Sequence, residues 1–175
     1  MSADSAESGS DPAETPHPLA GRHRDEVELP VFPPAIGREE VESSGRVGAA
    51  AYPFRVYEAE IEVERPLLEP RRDRRIVSVD CSRRLALRAD EVPEFETRTI
   101  SDTLVLPSEL SPEQADEKAR DAAFKWTLRT SILSDVPEVD FGCVADAYKL
   151  FWLVERSDGD MIIDSVRGTE RPLDE

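Results

Sequence analysis

Between Glu58 and Glu64 the chain reads Glu-Ala-Glu-Ile-Glu-Val-Glu, and this strict alternation restricts the fold more than any other feature. Successive side chains of a strand point to opposite faces, so Ala59, Ile61 and Val63 share one face and the four glutamates share the other. The pattern predicts a strand from Tyr52 to Glu64 with one buried face and one acidic face. Residues 65–75 carry Pro66 and Pro70 and read as a turn or long hairpin loop. Alternation resumes through Ile76, Val77, Val79, Cys81, Leu85 and Leu87, which predicts a second strand paired antiparallel with the first.

A weaker strand is expected over residues 94–106. Ser111-Pro112-Glu113-Gln114 then has the form of a capping box, with proline at the first helical position where its missing N–H costs nothing. Ala115, Ala119, Ala122, Ala123, Trp126, Thr130 and Leu133 follow at helical spacing and predict one apolar stripe on a helix from 112 to 133. The apolar run from Val139 to Val154 predicts a central strand kinked around Gly142. Ser157-Asp158-Gly159-Asp160 is a hairpin turn leading to a last strand from Met161. Together these elements predict an α+β fold: an antiparallel sheet of four to five strands with one long helix packed on one face, in the order ββ(β)αββ.

The expected domain occupies residues 49–175. Residues 1–24 are rich in Ser, Ala, Pro, Asp and Glu and bury too little to offset their ordering entropy, so they are expected to be disordered. Val27, Leu29, Val31 and Phe32 suggest an extended segment, but Pro30, Pro33 and Pro34 argue against a central strand. Residues 37–48 read as a linker, so 1–48 is expected to be a disordered or extended acidic tail.

The formal net charge is −16, from 38 acidic and 22 basic residues. Three of the basic residues are lysine and nineteen are arginine; asparagine is absent and Gln114 is the only glutamine. This combination resembles that of cytosolic proteins of extremely halophilic archaea, whose acidic surfaces stay hydrated in concentrated salt. Self-repulsion among carboxylates opposes a compact chain in dilute buffer. At ~1 M salt the Debye length falls to ~3 Å and that repulsion is screened.

Two segments repeat weakly. Ala51-Tyr52, a strand, a turn, then Asp80 and Arg83 recur as Ala147-Tyr148, a strand, a turn, then Asp164 and Arg167. Each Asp is expected to accept backbone N–H bonds in a turn and to pair with the Arg three residues on. The helix, the final hairpin and the Asp-Ser-Val-Arg-Gly ending resemble the PepSY-like module over residues 111–171. That resemblance implies an α-β-β order and a sheet-and-helix interaction module.

Catalytic motifs are sparse. His17 and His23 both fall in the expected tail, away from any held proton. Cys81 and Cys143 lie in strand-like stretches, where a buried, inert thiol is the ordinary case. No Cys/His spacing suits a metal, and Asp158, Asp160 and Asp164 read as turn and strand-end carboxylates. No phosphate-binding glycine motif is present. No catalytic residue, metal or cofactor is therefore expected. Nothing in the chain approaches a membrane span, and no secretory leader pattern opens it.

One segment reverses the charge. Residues 65–88 hold eight arginines against three acids, a local +5. Arg71, Arg72, Arg74, Arg75, Arg83 and Arg84 are candidate partner-binding residues, because guanidinium groups grip carboxylates and phosphates bidentately. The competing reading pairs them internally with Glu58, Glu60, Glu62 and Glu64. Nucleic acid is disfavoured, since no aromatics interleave with these arginines. Tyr148 and Trp152 are a second candidate surface, with burial under the helix as the alternative. The sequence thus points to a non-enzymatic, cytoplasmic protein-interaction module, working with itself or another protein. A virion or filament subunit of a haloarchaeal virus is the alternative, and a carboxylate-dependent enzyme ranks third.

Overall fold

The 58–64 alternation does form a strand, but it occupies one half of a much longer one. A computed structural model describes residues 21–130 and 138–173. The elements are β1 (Arg22–Val31), β2 (Val47–Arg65), β3 (Leu68–Asp80), β4 (Leu85–Ala89), β5 (Glu96–Val105), α1 (Pro112–Thr130), β6 (Glu138–Val154), β7 (Met161–Asp164) and β8 (Glu170–Pro172). More than half of the described residues lie in strands.

The expected sheet with a helix on one face is corrected by this topology. The strand order is β4-β3-β2-β5-β1-β6-β7-β8, and β6 pairs back onto β2. Strands β2, β5, β1 and β6 therefore close into a four-stranded barrel, and the remaining strands extend it. Two parallel contacts make the closure: Ala49–Ala51 of β2 with Thr103–Val105 of β5, and Val31 of β1 with Tyr148 of β6. No hydrophobic pattern signals such contacts, because closure depends on strands brought together from distant parts of the chain.

The barrel is narrow, and its side chains fit that width. Val31, Ala49, Ala51, Ile100, Leu150, Trp152, Val154 and Ile163 form its cluster. Ala49 lies directly across from Trp152 in the β2–β6 ladder, a small residue making room for the largest. On the other face of β2, Ala50, Tyr52, Phe54 and Val56 pack with Phe32, Phe151 and Ile162. The first half of β2 is thus covered on both faces. In its second half Tyr57, Ala59, Ile61 and Val63 turn one face to α1, while the glutamates remain outside.

Helix α1 is held by the predicted cap: Gln114 N–H donates to Ser111 Oγ at 3.2 Å, and Ser111 N–H donates to Gln114 Oε1 at 2.9 Å. Ala115, Ala119 and Ala123 are fully buried, so the helix lies close to the hairpin of β2 and β3. Leu133 lies outside the described residues, as does the side chain of Thr130.

Three further expectations change. Residues 22–31, read as tail, form β1 and pair along their length with β5, so the folded part begins well before residue 49. Pro30 is tolerated because β1 meets β6 only at Val31 and leaves most of that side unpaired. The strand expected over 75–87 is two strands: β3 already begins at Leu68, inside the stretch 65–75 expected as a loop, and a turn in which Arg84 adopts a positive φ of 56° separates it from β4. Trp152, expected beneath the helix if buried, is instead 4 % exposed inside the barrel, with Nε1–H donating to Ile36 O at 2.8 Å.

Candidate interaction surface

The arginine island folds into the β2–β3 hairpin, where antiparallel register sets its partners. Glu62 lies opposite Arg72 and Glu60 opposite Arg74. Arg72 Nε is 2.8 Å from Glu62, and Arg74 bonds Glu58 through Nε at 2.5 Å and through its terminal nitrogen at 2.8 Å. The Arg74 bond holds the Glu58 carboxyl below its ordinary range. Arg75 pairs with Asp73 at 2.7 Å, Arg71 reaches the same carboxylate at 3.8 Å, and Arg84 meets Glu109 at 3.5 Å. A cavity of about 620 Å³ lies here, but Glu60, Asp73, Glu138 and Asp140 line it together with Arg72 and Arg74. The positive excess read along the sequence is met by Glu58 and Glu62 of β2, by Asp73 of β3 itself and by Glu109.

Arg83 has a different setting. Asp80, fully buried, accepts N–H bonds from Ser82 at 3.1 Å and Arg83 at 2.9 Å, and its second oxygen is 2.6 Å from Arg83 Nε. The Arg83 guanidinium also lies 4.8 Å from the centre of Tyr52 and 5.3 Å from that of Phe151. The second predicted turn forms at Asp164, which accepts N–H bonds from Val166 and Arg167, each at 3.0 Å. Its ion-pair partner is not Arg167 but Lys149 of β6, at 2.6 Å. Burial alone would raise the Asp164 carboxyl; the Lys149 ammonium and the two N–H groups outweigh it and hold the group below its ordinary range.

Tyr148 is half-buried and lines a cavity of about 370 Å³ with Pro30, Pro53, Arg55, Cys81 and Asp146. Beside that cavity Tyr57 O–H donates to Asp116 Oδ1 at 2.7 Å, and Arg55 lies between Asp146 at 2.9 Å and Asp116 at 3.7 Å. Burial, then the bond to Asp116, raises the Tyr57 hydroxyl well above its ordinary range. The ring stacks on Phe141 at 4.9 Å, so this polar group locks β2, β6 and the start of α1 together.

His23, expected in the tail, sits in β1 with Nε2 at 2.9 Å from Asp102. Asp102 in β5 adopts a φ of 48° and also binds Arg46; bonds from Arg46 and His23 keep its carboxyl well below the usual range. Cys81 is buried and burial pushes its thiol up, whereas Cys143, expected buried, is exposed. Among the described residues no group of His, Cys, Asp and Glu could hold a metal ion, and no helix is long and apolar enough to cross a membrane.

Sequence reasoning missed a surface on the other side of the hairpin. Strand β4 is the sheet's terminal strand, and Leu85 and Leu87 are 47 % and 36 % exposed on it. Between β4 and α1 lies a groove of about 260 Å³ lined by Arg84, Lys118, Lys125, Trp126 and Arg129, with Asp121 the acid among them. Its signal was present in the sequence: two of the chain's three lysines, Lys118 and Lys125, stand seven residues apart on one helix flank.

The molecule is a small closed β barrel carrying a helix-backed hairpin whose outer strand, β4, has no strand beyond it among the described residues. No family model, curated protein or solved structure matches the chain.

Proposed function

We propose that this chain is a non-enzymatic protein-interaction module that works within a complex in the salt-rich cytoplasm of a halophilic archaeon. The observation that carries the reading is the open edge of β4, with its two exposed leucines beside the cationic groove on α1. An unpaired strand edge invites another strand, and exposed apolar side chains give the contact area.

The ladder between β2 and β6 supports the salt-rich setting. Glu60 lies directly opposite Asp140, and Glu62 opposite Glu138. Like charges facing each other across strands destabilise a ladder, and concentrated salt screens them. Hydrogen exchange should show the far ends of β2 and β6 opening as salt falls from ~2 M to ~0.1 M, while the barrel half stays protected. Uniform protection at both concentrations overturns the salt reading.

The interaction reading is tested by expressing the tagged full chain in a haloarchaeal host and measuring the mass of the isolated particle by light scattering in high salt. A defined complex heavier than the chain is expected. A bare monomer overturns the reading, and large regular assemblies favour a virion or filament subunit instead.

A further inference from the structure

We infer that β4 receives an extended acidic segment of a partner protein as an added strand, with alternate carboxylates lying over the α1 flank. The inference rests on the interaction reading above and names its site and the chemistry of its partner.

The face pattern of β4 sets what such a strand must look like. Arg88 and Ala86 lie across from Val77 and Val79, which pack beneath α1, so both belong to the helix-side face. Leu85 and Leu87 lie across from Asp80 and Ser78 on the opposite face. A strand added to the free side of β4 continues both faces. Its helix-side residues meet Arg88 and the ammonium and guanidinium groups of Lys118, Lys125 and Arg129; the others meet Leu85 and Leu87. Alternating carboxylate and apolar residues complement both.

The charges are available for this. Arg71, Arg72, Arg74, Arg75, Arg83 and Arg84 each have a carboxylate partner within the chain. Among the described residues Lys118, Lys125 and Arg129 have none and line one groove, and Arg88 on the helix-side face of β4 has none either, in a protein of net charge −16. A second copy docking through its own β4 would bring these cations against their like, so charge selects a different chain. A strand also matches the site better than a polyphosphate does. The edge offers a row of backbone donors and acceptors beside leucines, neither of which a polyphosphate can use.

The test uses the purified full chain in about 1 M salt, where only close charge contacts persist. A fluorescein-labelled Glu-Val-Glu-Val-Glu-Val-Glu peptide is followed by anisotropy. It should bind, whereas the matching Lys-Val peptide and oligothymidylate should not. The triple change Lys118→Glu, Lys125→Glu, Arg129→Glu should weaken binding about tenfold or more, with an unaltered circular dichroism spectrum. The control triple Arg22→Glu, Arg24→Glu, Arg167→Glu makes the same change in net charge and should leave binding within about twofold. A peptide N-methylated at alternate residues keeps its carboxylates but cannot join a ladder, and should also lose about tenfold. Failure of the acidic peptide to bind, equal loss in both triples, equal binding of oligothymidylate, or no effect of N-methylation overturns the assignment. If the peptide fails while the chain still isolates as a defined complex, this site is wrong and the interaction reading stands. A bare monomer in the host overturns that reading itself.

Discussion

The turns at Asp80 and Asp164 are built alike and closed differently. Each Asp ends a strand, lies across from a phenylalanine (Phe54 or Phe151), and accepts the N–H groups two and three residues on. In each, the next residue donates its N–H to the neighbouring long strand: Cys81 to Pro53 O at 2.9 Å, Ser165 to Leu150 O at 3.3 Å. On this correspondence Tyr52 of β2 matches Lys149 of β6, and these two residues face each other across the β2–β6 ladder. That is the condition for a local two-fold axis between the two hairpins. Ala50 then matches Ala147, and Phe54 matches Phe151, a register one residue away from the Ala51–Ala147 alignment that the sequences invite.

The pair on the axis, Tyr52 and Lys149, decides the chemistry. Where β6 has lysine, the strand itself supplies the cation for Asp164, and Arg167 is left exposed. Where β2 has tyrosine, Arg83 folds back over the Tyr52 ring to reach Asp80. A turn motif therefore specifies its backbone bonds locally, while the partner of its carboxylate depends on a residue one strand away.

The comparison can be broken at Lys149. Its side chain and that of Asp164 are 13 % and 10 % exposed, so Lys149→Met strands a largely buried carboxylate and should cost about 3 kcal/mol or more in urea unfolding. A loss below about 1 kcal/mol would show that water reaches Asp164 and that the pair is incidental. The Arg83 side chain is 36 % exposed, so solvent takes over part of its role, and Arg83→Ala should cost a smaller ~1–2 kcal/mol. Equal losses at the two sites would remove the distinction between them.

Acid sharpens the same contrast. The Asp164 carboxyl has a folded-state pKa below its unfolded value, so its charge stabilises the fold above the ordinary Asp range near ~4 and the contribution is lost as pH falls toward the depressed value. Removing Lys149 leaves burial to favour the protonated acid. The stability gap between Lys149→Met and the unaltered chain should therefore narrow on acidification; a constant gap argues against the pair. The smallest effect is expected at Arg167→Ala, within about 0.5 kcal/mol, since the backbone N–H and not the guanidinium serves the turn.

Local features were legible in the sequence because their causes are local. The Ser111–Gln114 cap, the alternation that buries Ala59, Ile61 and Val63, and the N–H bonds at both Asp turns each depend on residues within a few positions. β1 was obscured by Pro30, whose cost depends on whether a neighbour needs that N–H. The β4 groove was obscured because Lys118, Lys125 and Arg84 stand far apart in the chain, while the denser arginines of 71–75 drew attention and proved to be paired.

By itself the sequence determined the alternating half of β2, the capped start of α1 and the backbone bonds of the two Asp turns, since backbone sterics and side-chain period act over a few residues. Tertiary structure alone decided that β1, β2, β5 and β6 close a ring and that Asp164 takes Lys149. It also decided which of the 22 basic side chains remain free to meet a partner. These outcomes depend on which strands become neighbours, and a buried charge takes the cation nearest in space rather than the one nearest in sequence.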